Sequence, residues 1–386
     1  MDNPVVLSAQ RTPIGKFFGS LSQVAVPDLG AAVIRSAIEV AGVDAGQVDE
    51  VILGNVLAAG VGQAPARQAA LAAELPHTVA AVTINKMCGS GLKAIMLAAQ
   101  SIRSGDTDLV VAGGMESMSR APFLLPRKDA KLGDRTLVDS MLHDGLICPF
   151  TSRGMGAIAD QLAKSDQIRR EQQDRYASMS HQRAITAADK GEFDREIVPV
   201  ATGDGLIDCD EGPRSDSTPS ALANLRPAFD RDGSVTAGNA SMISDGAAAV
   251  VVASPQFAAK HGLRPIAEIV ASATSGTAPE DLFIAPVTAI ENVLRRAKLK
   301  LSDIDLIELN EAFAAQMIAC QQRLNLDEQR MNVRGGAIAL GHPIGASGAR
   351  VLTTLLHSMI DHDKSFGLAS LCLGGGNAVA MIVRKC

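Results

Sequence analysis

The sequence predicts an α/β protein built from two similar halves, with a charge-rich segment inserted into the first. Three observations predict this class. The chain has 386 residues and is 47% apolar, which is enough for a large core spread over two or three domains. Two distant stretches of the chain repeat the same order of strand and helix patterns. The segment from 116 to 235 carries 16 Lys/Arg and 20 Asp/Glu, about twice the charge density of the rest.

The composition also excludes several classes of protein. A net charge of −6 gives nucleic acid no general electrostatic footprint. Apolar runs such as Ala247–Ala253 are far shorter than the about 20 residues of a membrane span. The start of the chain, MDNPVVLSAQRT, lacks the basic and apolar regions of a secretory signal. The six cysteines lie too far apart for a disulfide scaffold. We therefore expect a soluble, cytoplasmic protein that binds neither nucleic acid nor membrane.

The first half alternates strand and helix patterns. Strand-like apolar runs occupy Asp49–Asn55 and Ala80–Lys86, helical periodicity covers Leu92–Ile102, and a further apolar run, Asp108–Ala112, ends in clustered glycines. Short runs rich in Val, Ile and Leu are typical of strands buried on both faces.

The charge-rich middle has helical spacing over Arg170–Lys190 and looks irregular over Ile197–Pro227. Because structureless loops beyond about 15 residues are uncommon, we interpret this segment as an excursion packed on the surface of the scaffold.

The second half repeats the first. Asp303–Asn310 resembles Asp49–Asn55, and a Ser-Gly pair again opens a helical stretch, Ala349–Ile360, which leads to the apolar run Gly367–Cys372. A duplication of this size predicts two sheets related by pseudo-twofold symmetry, with helices around and between them. Chance similarity within a Gly- and Ala-rich sequence is the alternative.

Cys88 is a candidate nucleophile. It follows the predicted strand Ala80–Lys86 and directly precedes Gly-Ser-Gly and a helix. Since the N–H groups and the dipole at a helix N-terminus favour an anion, we expect its pKa to fall below the ordinary value of about 8.5. The alternative interpretation is a small, buried apolar residue.

Three further residues have suitable chemistry. His342, between Gly and Pro on an irregular loop, suits a general base or an oxyanion donor. Cys372, at a glycine-rich strand end, suits a proton shuttle. Asn310, at the end of the strand-like run Ile304–Leu309, suits an oxyanion donor or a helix N-cap.

Two rival sites are disfavoured by spacing. Metal binding by Cys88, His342 and Cys372 lacks the short ligand spacings of zinc sites. The glycines at 113–114 and 374–376 lack the GxGxxG spacing of a dinucleotide loop, which argues against a nicotinamide enzyme.

The motifs taken together resemble the signature blocks of thiolases (acetyl-CoA C-acyltransferases), in the family's order and spacing. The resemblance runs from about Val5 to Val383. Its blocks are Arg11–Gly15, Asn85–Lys93, Gly113–Ser119, Thr236–Ser241, Asn310–Phe313, Gly341–Gly348 and Cys372–Gly376.

The resemblance implies a thiolase fold of five layers, αβαβα. It places a first half at 1–255, including a loop domain at about 116–243, and a second half at 262–386. It also implies a homodimer or homotetramer.

The resemblance further implies a role for each catalytic residue. Cys88 would be acylated after activation by His342, and Cys372 would move the proton at the α-carbon of a second acyl-CoA. Asn310, through a water, and His342 would form one oxyanion hole, and the backbone N–H groups of Cys88 and Gly374 would form another.

Coenzyme A is then a substrate, with no separate cofactor and no metal. The resemblance assigns seven residues to binding of substrate or CoA: Arg214, Ser241, Ala237, Phe229, Met155, Leu282 and Phe313. Two departures from the family pattern stand out. Gly154 replaces a common His near the pantetheine, and Leu282 replaces a Met found in many short-chain members.

The function implied is the reversible thiolytic cleavage or Claisen condensation of 3-oxoacyl-CoA, with acetoacetyl-CoA as the first choice of substrate. A thiolase that prefers longer chains, in fatty-acid degradation, is the alternative, because one methylene in an apolar pocket contributes only about 1–3 kcal/mol to discrimination. Cys372 argues against a decarboxylating or HMG-type condensing enzyme. The presence of all the catalytic positions argues against a decayed acyl-CoA carrier.

Overall fold

A computed structural model describes residues 3–129 and 132–386. Residues 1, 2, 130 and 131 of the predicted first half lie outside the described residues. The elements of the first half up to the insertion are β1 (Val5–Arg11), β2 (Gly15–Lys16), α1 (Val26–Ala41), β3 (Glu50–Gly54), α2 (Pro65–Ala72), β4 (Ala80–Ile84), α3 (Ser90–Ser104) and β5 (Leu109–Ser117).

Local chemistry accounts for the ends of these helices. α1 has Pro27 in its first turn, where the missing N–H costs no hydrogen bond. α1 and α3 both end on a glycine in the left-handed conformation, Gly42 with φ 68° and Gly105 with φ 82°.

Small hairpins and two long helices follow β5 before the chain returns to the sheet. They are β6 (Phe123–Leu124), β7 (Val138–Asp139), β8 (Ile147–Cys148), β9 (Arg153–Gly154), α4 (Met155–Ser165), α5 (Arg170–Asp189), β10 (Val200–Thr202), β11 (Gly205–Ile207) and α6 (Pro219–Ala223). The predicted helix over Arg170–Lys190 is confirmed. The expectation of irregular structure over Ile197–Pro227 is wrong in part, since the β10–β11 hairpin and α6 lie there.

The chain then completes the first sheet and repeats the pattern. The remaining elements are β12 (Ser244–Ala253), α7 (Pro255–Lys260), β13 (Ala267–Gly276), α8 (Ala285–Ala297), β14 (Leu306–Leu309), α9 (Ala314–Leu324), α10 (Ala337–Leu340), α11 (Ser347–Asp361), β15 (Phe366–Leu373) and β16 (Asn377–Lys385).

The strand order shows the duplication. The first half runs β1-β12-β5-β3-β4 and the second runs β13-β16-β15-β14. In each half the first two pairs are antiparallel and the pairs that follow are parallel. The repeat predicted two separate sheets, and that prediction is wrong. β1 and β13 pair over two positions, Val5 with Glu268 and Val6 with Ala267, and join the halves into one path of nine strands, with β2 as a tenth strand paired to β12.

Five layers follow from the contacts. α1 and α2 cover the outer face of the first-half strands, and α8 covers β13 and β16 on the other side. α3 and α11 contact each other and lie between the two sets of strands. The predicted arrangement of five layers, αβαβα, is therefore confirmed. None of the helices in the described part of the chain combines the length and the apolar character needed to cross a membrane.

Glycines let the two central helices meet at their first turns. A Cβ on Gly91 would lie 2.7 Å from the backbone nitrogen of Ala349, and a Cβ on Gly348 would lie 2.3 Å from that of Leu92. The repeated Ser-Gly pair is thus a packing feature. It brings together the helix starts that follow Cys88 and His342.

Candidate active site

A cavity of about 740 Å³ opens where the central helices begin. Most of the predicted site residues line it: Cys88, His342, Cys372, Gly374, Met155, Phe229, Ala237, Ser241, Leu282 and Phe313. Asn310 adjoins the cavity through His342, whereas Arg214 is not part of the lining.

A tight turn between β4 and α3 presents Cys88. Met87 adopts the left-handed conformation, with φ 48°. Ser90 holds the turn, because its hydroxyl donates to the carbonyl of Met87 at 2.6 Å and accepts the N–H of Lys86 at 2.8 Å. A Cβ on Gly89 would lie 2.6 Å from a methyl carbon of Leu373, so only glycine allows this turn to press against the end of β15.

The expectation of a lowered pKa for Cys88 is wrong. Burial raises the pKa of this thiol to about 11. The backbone N–H groups of Gly374 and of Cys88 itself bond to the sulfur and oppose that shift only in part. At neutral pH the resting nucleophile is a thiol, which needs a base to become reactive.

His342 is buried and held in one tautomer. Its Nδ1 lies 2.6 Å from Oγ of Ser347, and that hydroxyl donates to the carbonyl of Pro343 at 2.8 Å. Since the Ser347 hydrogen is already committed, Nδ1 carries the ring proton and donates it to Oγ. Nε2 therefore keeps its lone pair.

The charge state of His342 agrees with that tautomer. Burial first, and then the positive charge of Arg350, lower the pKa of the imidazole to about 3. The ring is neutral at every pH used for an assay, so it can accept a proton.

Cys372 lies one residue before the end of β15, and only 3% of it is exposed. Burial, with the neighbouring Cys88 sulfur as the second cause, raises the pKa of Cys372 well above its ordinary value. The turn that follows places Gly375 and Gly376 at φ 82° and 80°, which favours glycine, and leaves the N–H of Gly374 directed at Cys88.

Asn310 follows β14 and is fully buried. Its backbone N–H bonds to Ser370 on β15, and its Nδ2 lies 3.5 Å from Nε2 of His342. It does not cap α9, whose N-cap is Phe313. Of the two alternatives in the sequence, the position of its amide next to the imidazole favours the oxyanion donor.

Aromatic side chains form one wall of the cavity. Phe313 makes edge-to-face contacts with Phe283 and Phe229, at centroid distances of 5.2 and 6.1 Å. A Cβ on Gly156 would lie 2.2 Å from the Phe229 ring, so this glycine allows the ring to pack on α4. The exposed Phe229 therefore forms the outer part of a continuous apolar wall.

Two predicted positions differ from the rest. Arg214 is exposed and pairs with Asp216 at 2.7 Å, and its role toward CoA stays a prediction. Gly154 lines the cavity, and no atom of the described residues lies within 4 Å of where its Cβ would be. The structure therefore has room at Gly154 for a side chain.

The sequence analysis missed two residues that shape the site. Ser347 orients His342. Glu116 accepts hydrogen bonds from Asn55, from the N–H groups of residues 56 and 57, and from Gly345 at 3.0 Å. Ser347 was detectable from its place five residues after His342. Glu116 carried no local signal, because its partners come from two distant loops.

These groups define an enzyme class. A thiol, a neutral imidazole with a free lone pair and a second thiol meet in one cavity, which suits covalent catalysis by cysteine with proton transfer by its neighbours. Within the described residues, no cluster of three or more His, Cys, Asp or Glu side chains is arranged to hold a metal ion.

Comparison with known proteins agrees with this class. Residues 4–256 match "Thiolase, N-terminal domain" and residues 263–385 match "Thiolase, C-terminal domain". The chain is 52% identical to an acetyl-CoA acetyltransferase of Pseudomonas aeruginosa, over the full length of both chains. The chain belongs to the thiolase family.

Two solved structures are similar over the whole chain. The acetyl-CoA acetyltransferase of Bacillus anthracis superposes with a TM-score of 0.98 at 41% identity, covering 100% of this chain and 99% of that one. The Acat5 thiolase of Ascaris suum, solved in complex with coenzyme A, gives 0.95 at 42% identity and covers 100% of both chains.

Proposed function

We propose that this chain catalyses the reversible reaction of acetoacetyl-CoA and CoA to two acetyl-CoA. The observation that carries the proposal is the meeting of Cys88, His342 and Cys372 in one mainly apolar cavity. Acetyl-CoA acetyltransferases at about half identity over their full length support the same reaction.

The first half-reaction transfers the acyl group to the enzyme. Nε2 of His342 takes the Cys88 proton, and Sγ attacks the 3-oxo carbon. The bond between carbons 2 and 3 then breaks, and the leaving enolate takes the proton of Cys372. The products are acetyl-CoA and acetyl-Cys88, with an imidazolium at 342 and a thiolate at 372.

The second half-reaction restores the resting state. The Cys372 thiolate takes the proton of CoA, whose sulfur attacks the acetyl-Cys88 thioester. Cys88 leaves and recovers its proton from His342, and acetyl-CoA is released. Coenzyme A is a substrate throughout, and each proton transfer belongs to a side chain of this protein.

Oxyanion stabilisation follows from the same geometry. The N–H groups of Cys88 and Gly374 bond to the Cys88 sulfur, close to where the carbonyl oxygen of an acyl-Cys88 would lie. Asn310, which lies beside His342, and the protonated His342 would stabilise the oxygen of the leaving enolate. Losing one such donor typically costs on the order of 10²–10³ in rate.

Replacement of the nucleophile tests the proposal. We expect Cys88→Ser to retain CoA binding, measured by calorimetry, and to lose thiolysis of acetoacetyl-CoA, measured by the decay of enolate absorbance. Cys386→Ser, at an exposed cysteine that does not line the cavity, is the matched control and should keep full activity. Full turnover by Cys88→Ser would overturn the assignment.

Chain length is tested with the same assay. A ladder of 3-oxoacyl-CoAs should show the highest kcat/KM for the four-carbon substrate, which the similarity to acetyl-CoA acetyltransferases supports. We also propose that the chain forms a homodimer or homotetramer in the cytoplasm.

A further inference from the structure

A second cavity, of about 590 Å³, lies at the far end of the elements that carry the catalytic groups. Leu306, the first residue of β14, and His362, which directly follows α11, both line it. Asn310 and Ser347 are at the opposite ends of the same two elements. The length of α11 separates the two cavities by about 20 Å at 1.5 Å per residue.

Basic side chains converge on this second cavity. Arg183 and Lys190 reach it from α5 and its C-cap, and His362 and Lys364 reach it from the turn after α11. Among the described residues, neither Lys190 nor Lys364 has a carboxylate within ion-pair distance. This clustering occurs in a chain whose net charge is −6.

The one carboxylate in the described lining does not neutralise the charges of Arg183, Lys190 and Lys364. Glu192 is 3.1 Å from Nε of the buried Arg334, and its backbone carbonyl accepts a second hydrogen bond from the same guanidinium. Its charge is therefore committed to Arg334. A basic residue at a helix C-terminus offsets the helix dipole, but that effect does not explain why basic side chains from α5, from its C-cap and from the turn after α11 face one cavity.

Hydrogen bonds to the backbone hold the guanidinium of Arg183 in place before any ligand binds. Its Nη1 donates to the carbonyl of Met331 at 2.7 Å, and its Nη2 donates to that of Glu328 at 3.1 Å. Both acceptors are neutral carbonyls, so the guanidinium keeps its full charge and its remaining N–H groups. A fixed guanidinium beside two ammonium groups without ion-pair partners among the described residues is an arrangement that suits phosphate oxygens.

The rest of the lining is apolar or neutral. Met179, Leu306 and Val333 form the apolar part, and Gln182 and Gln329 supply amide groups. The volume falls in the range of small-molecule sites. We propose that this cavity binds a small organic molecule that carries two or more phosphate charges, at a site separate from the catalytic cavity.

The test is calorimetric titration of the full chain with pyrophosphate and with ADP at low salt. Both probes should bind saturably, ADP more tightly because its nucleoside adds apolar contact. Lys190→Gln/Lys364→Gln should weaken each by at least about tenfold. Raising the NaCl concentration should weaken binding in the unmodified chain.

Controls separate this site from the catalytic cavity. Lys260→Gln/Lys298→Gln, at two exposed lysines that line neither cavity, should bind both probes normally, and so should Arg214→Gln. The proposal is overturned if neither probe binds, if the Lys190/Lys364 variant binds like the unmodified chain, or if Arg214→Gln abolishes binding of the probes.

Discussion

At the scale of single residues, the site is defined by groups that burial keeps uncharged. Burial raises the pKa of Cys88 and lowers that of His342, so the pair rests as thiol and imidazole rather than as thiolate and imidazolium. An ion pair would lose solvation in this cavity, and only two backbone N–H groups would compensate the thiolate. Charge separation is therefore left to the moment when a substrate carbonyl accepts the sulfur.

This charge state predicts the pH dependence of alkylation by iodoacetamide. Because the thiol pKa of about 11 lies above the assay range, the thiolate fraction at Cys88 should rise about tenfold per pH unit from pH 6 to pH 9. The rate, followed by mass spectrometry on the peptide that contains Cys88, should rise in parallel. A plateau beginning below pH 8 would instead indicate a resting thiolate–imidazolium pair.

Ser347 gives a second prediction at this scale. Ser347→Ala removes the acceptor for Nδ1–H of His342, so the ring loses its fixed tautomer and orientation. We expect kcat for thiolysis to fall at least about tenfold, with little change in KM. Ser358→Ala, at another buried serine of α11 whose hydroxyl has no hydrogen-bond partner in the part of the chain that the structure describes, is the control. Equal kcat values in the two variants would contradict the role of Ser347.

Residue types could be predicted from the sequence, but their environments could not. Cys88, His342 and Cys372 stand in unusual Gly-rich contexts that local inspection detects. The sign of the Cys88 pKa shift was wrong because the helix N-terminus is a local feature, whereas burial depends on packing by β15 and the insertion. The network around Glu116 was missed for the same reason.

At the scale of elements, the main feature is the crossing of α3 and α11. Each helix starts with a Ser-Gly pair, and each glycine touches the backbone of the other helix. The contact fixes the spacing between the two loops that precede the helices, one with Cys88 and one with His342. Duplication of a half thus placed two similar helix starts face to face, and each now carries a different catalytic group.

A methyl group at this crossing should separate the helices. In Gly348→Ala the new Cβ would lie 2.3 Å from the Leu92 nitrogen, a backbone atom that cannot rotate away. We expect a loss of about 3 kcal/mol in the free energy of unfolding and reduced kcat. Gly203→Ala, at a glycine with open space around its Cβ position, should be close to neutral in thermal melts. Normal stability of Gly348→Ala would show that the crossing tolerates expansion.

The positions of elements could be predicted from the sequence wherever the buried residues form a clear apolar pattern. β15, α3 and α11 lie within a few residues of their predicted bounds. The pairing of β1 with β13 has no such signal, because it involves two positions of otherwise ordinary strands. The β10–β11 hairpin was missed because its three-residue strands are too short to show alternation.

At the scale of the whole molecule, the sheet ends at β4 with an exposed edge. Ala80 and Val82 are exposed there, and the strand has the apolar sequence AAVTI. Exposed apolar edges are rare in stable monomers, because unpaired N–H and C=O groups recruit another strand. A second copy of the chain, related by a twofold axis, can pair β4 with β4 and bury both edges. The turn with Cys88 begins directly after this strand, so such pairing would support the nucleophile from outside.

Val82 tests this arrangement. Val82→Lys places a charge on the edge and should shift the mass measured by light scattering from a multiple of 40.1 kDa toward 40.1 kDa itself. Val40→Lys, at a valine of α1 that is 59% exposed against 40% for Val82, is the matched control and should leave the mass unchanged. If β4 supports the Cys88 turn, thiolysis should fall together with the mass in Val82→Lys. A monomeric unmodified chain, or an unchanged mass for Val82→Lys, would show that β4 is not the contact between copies.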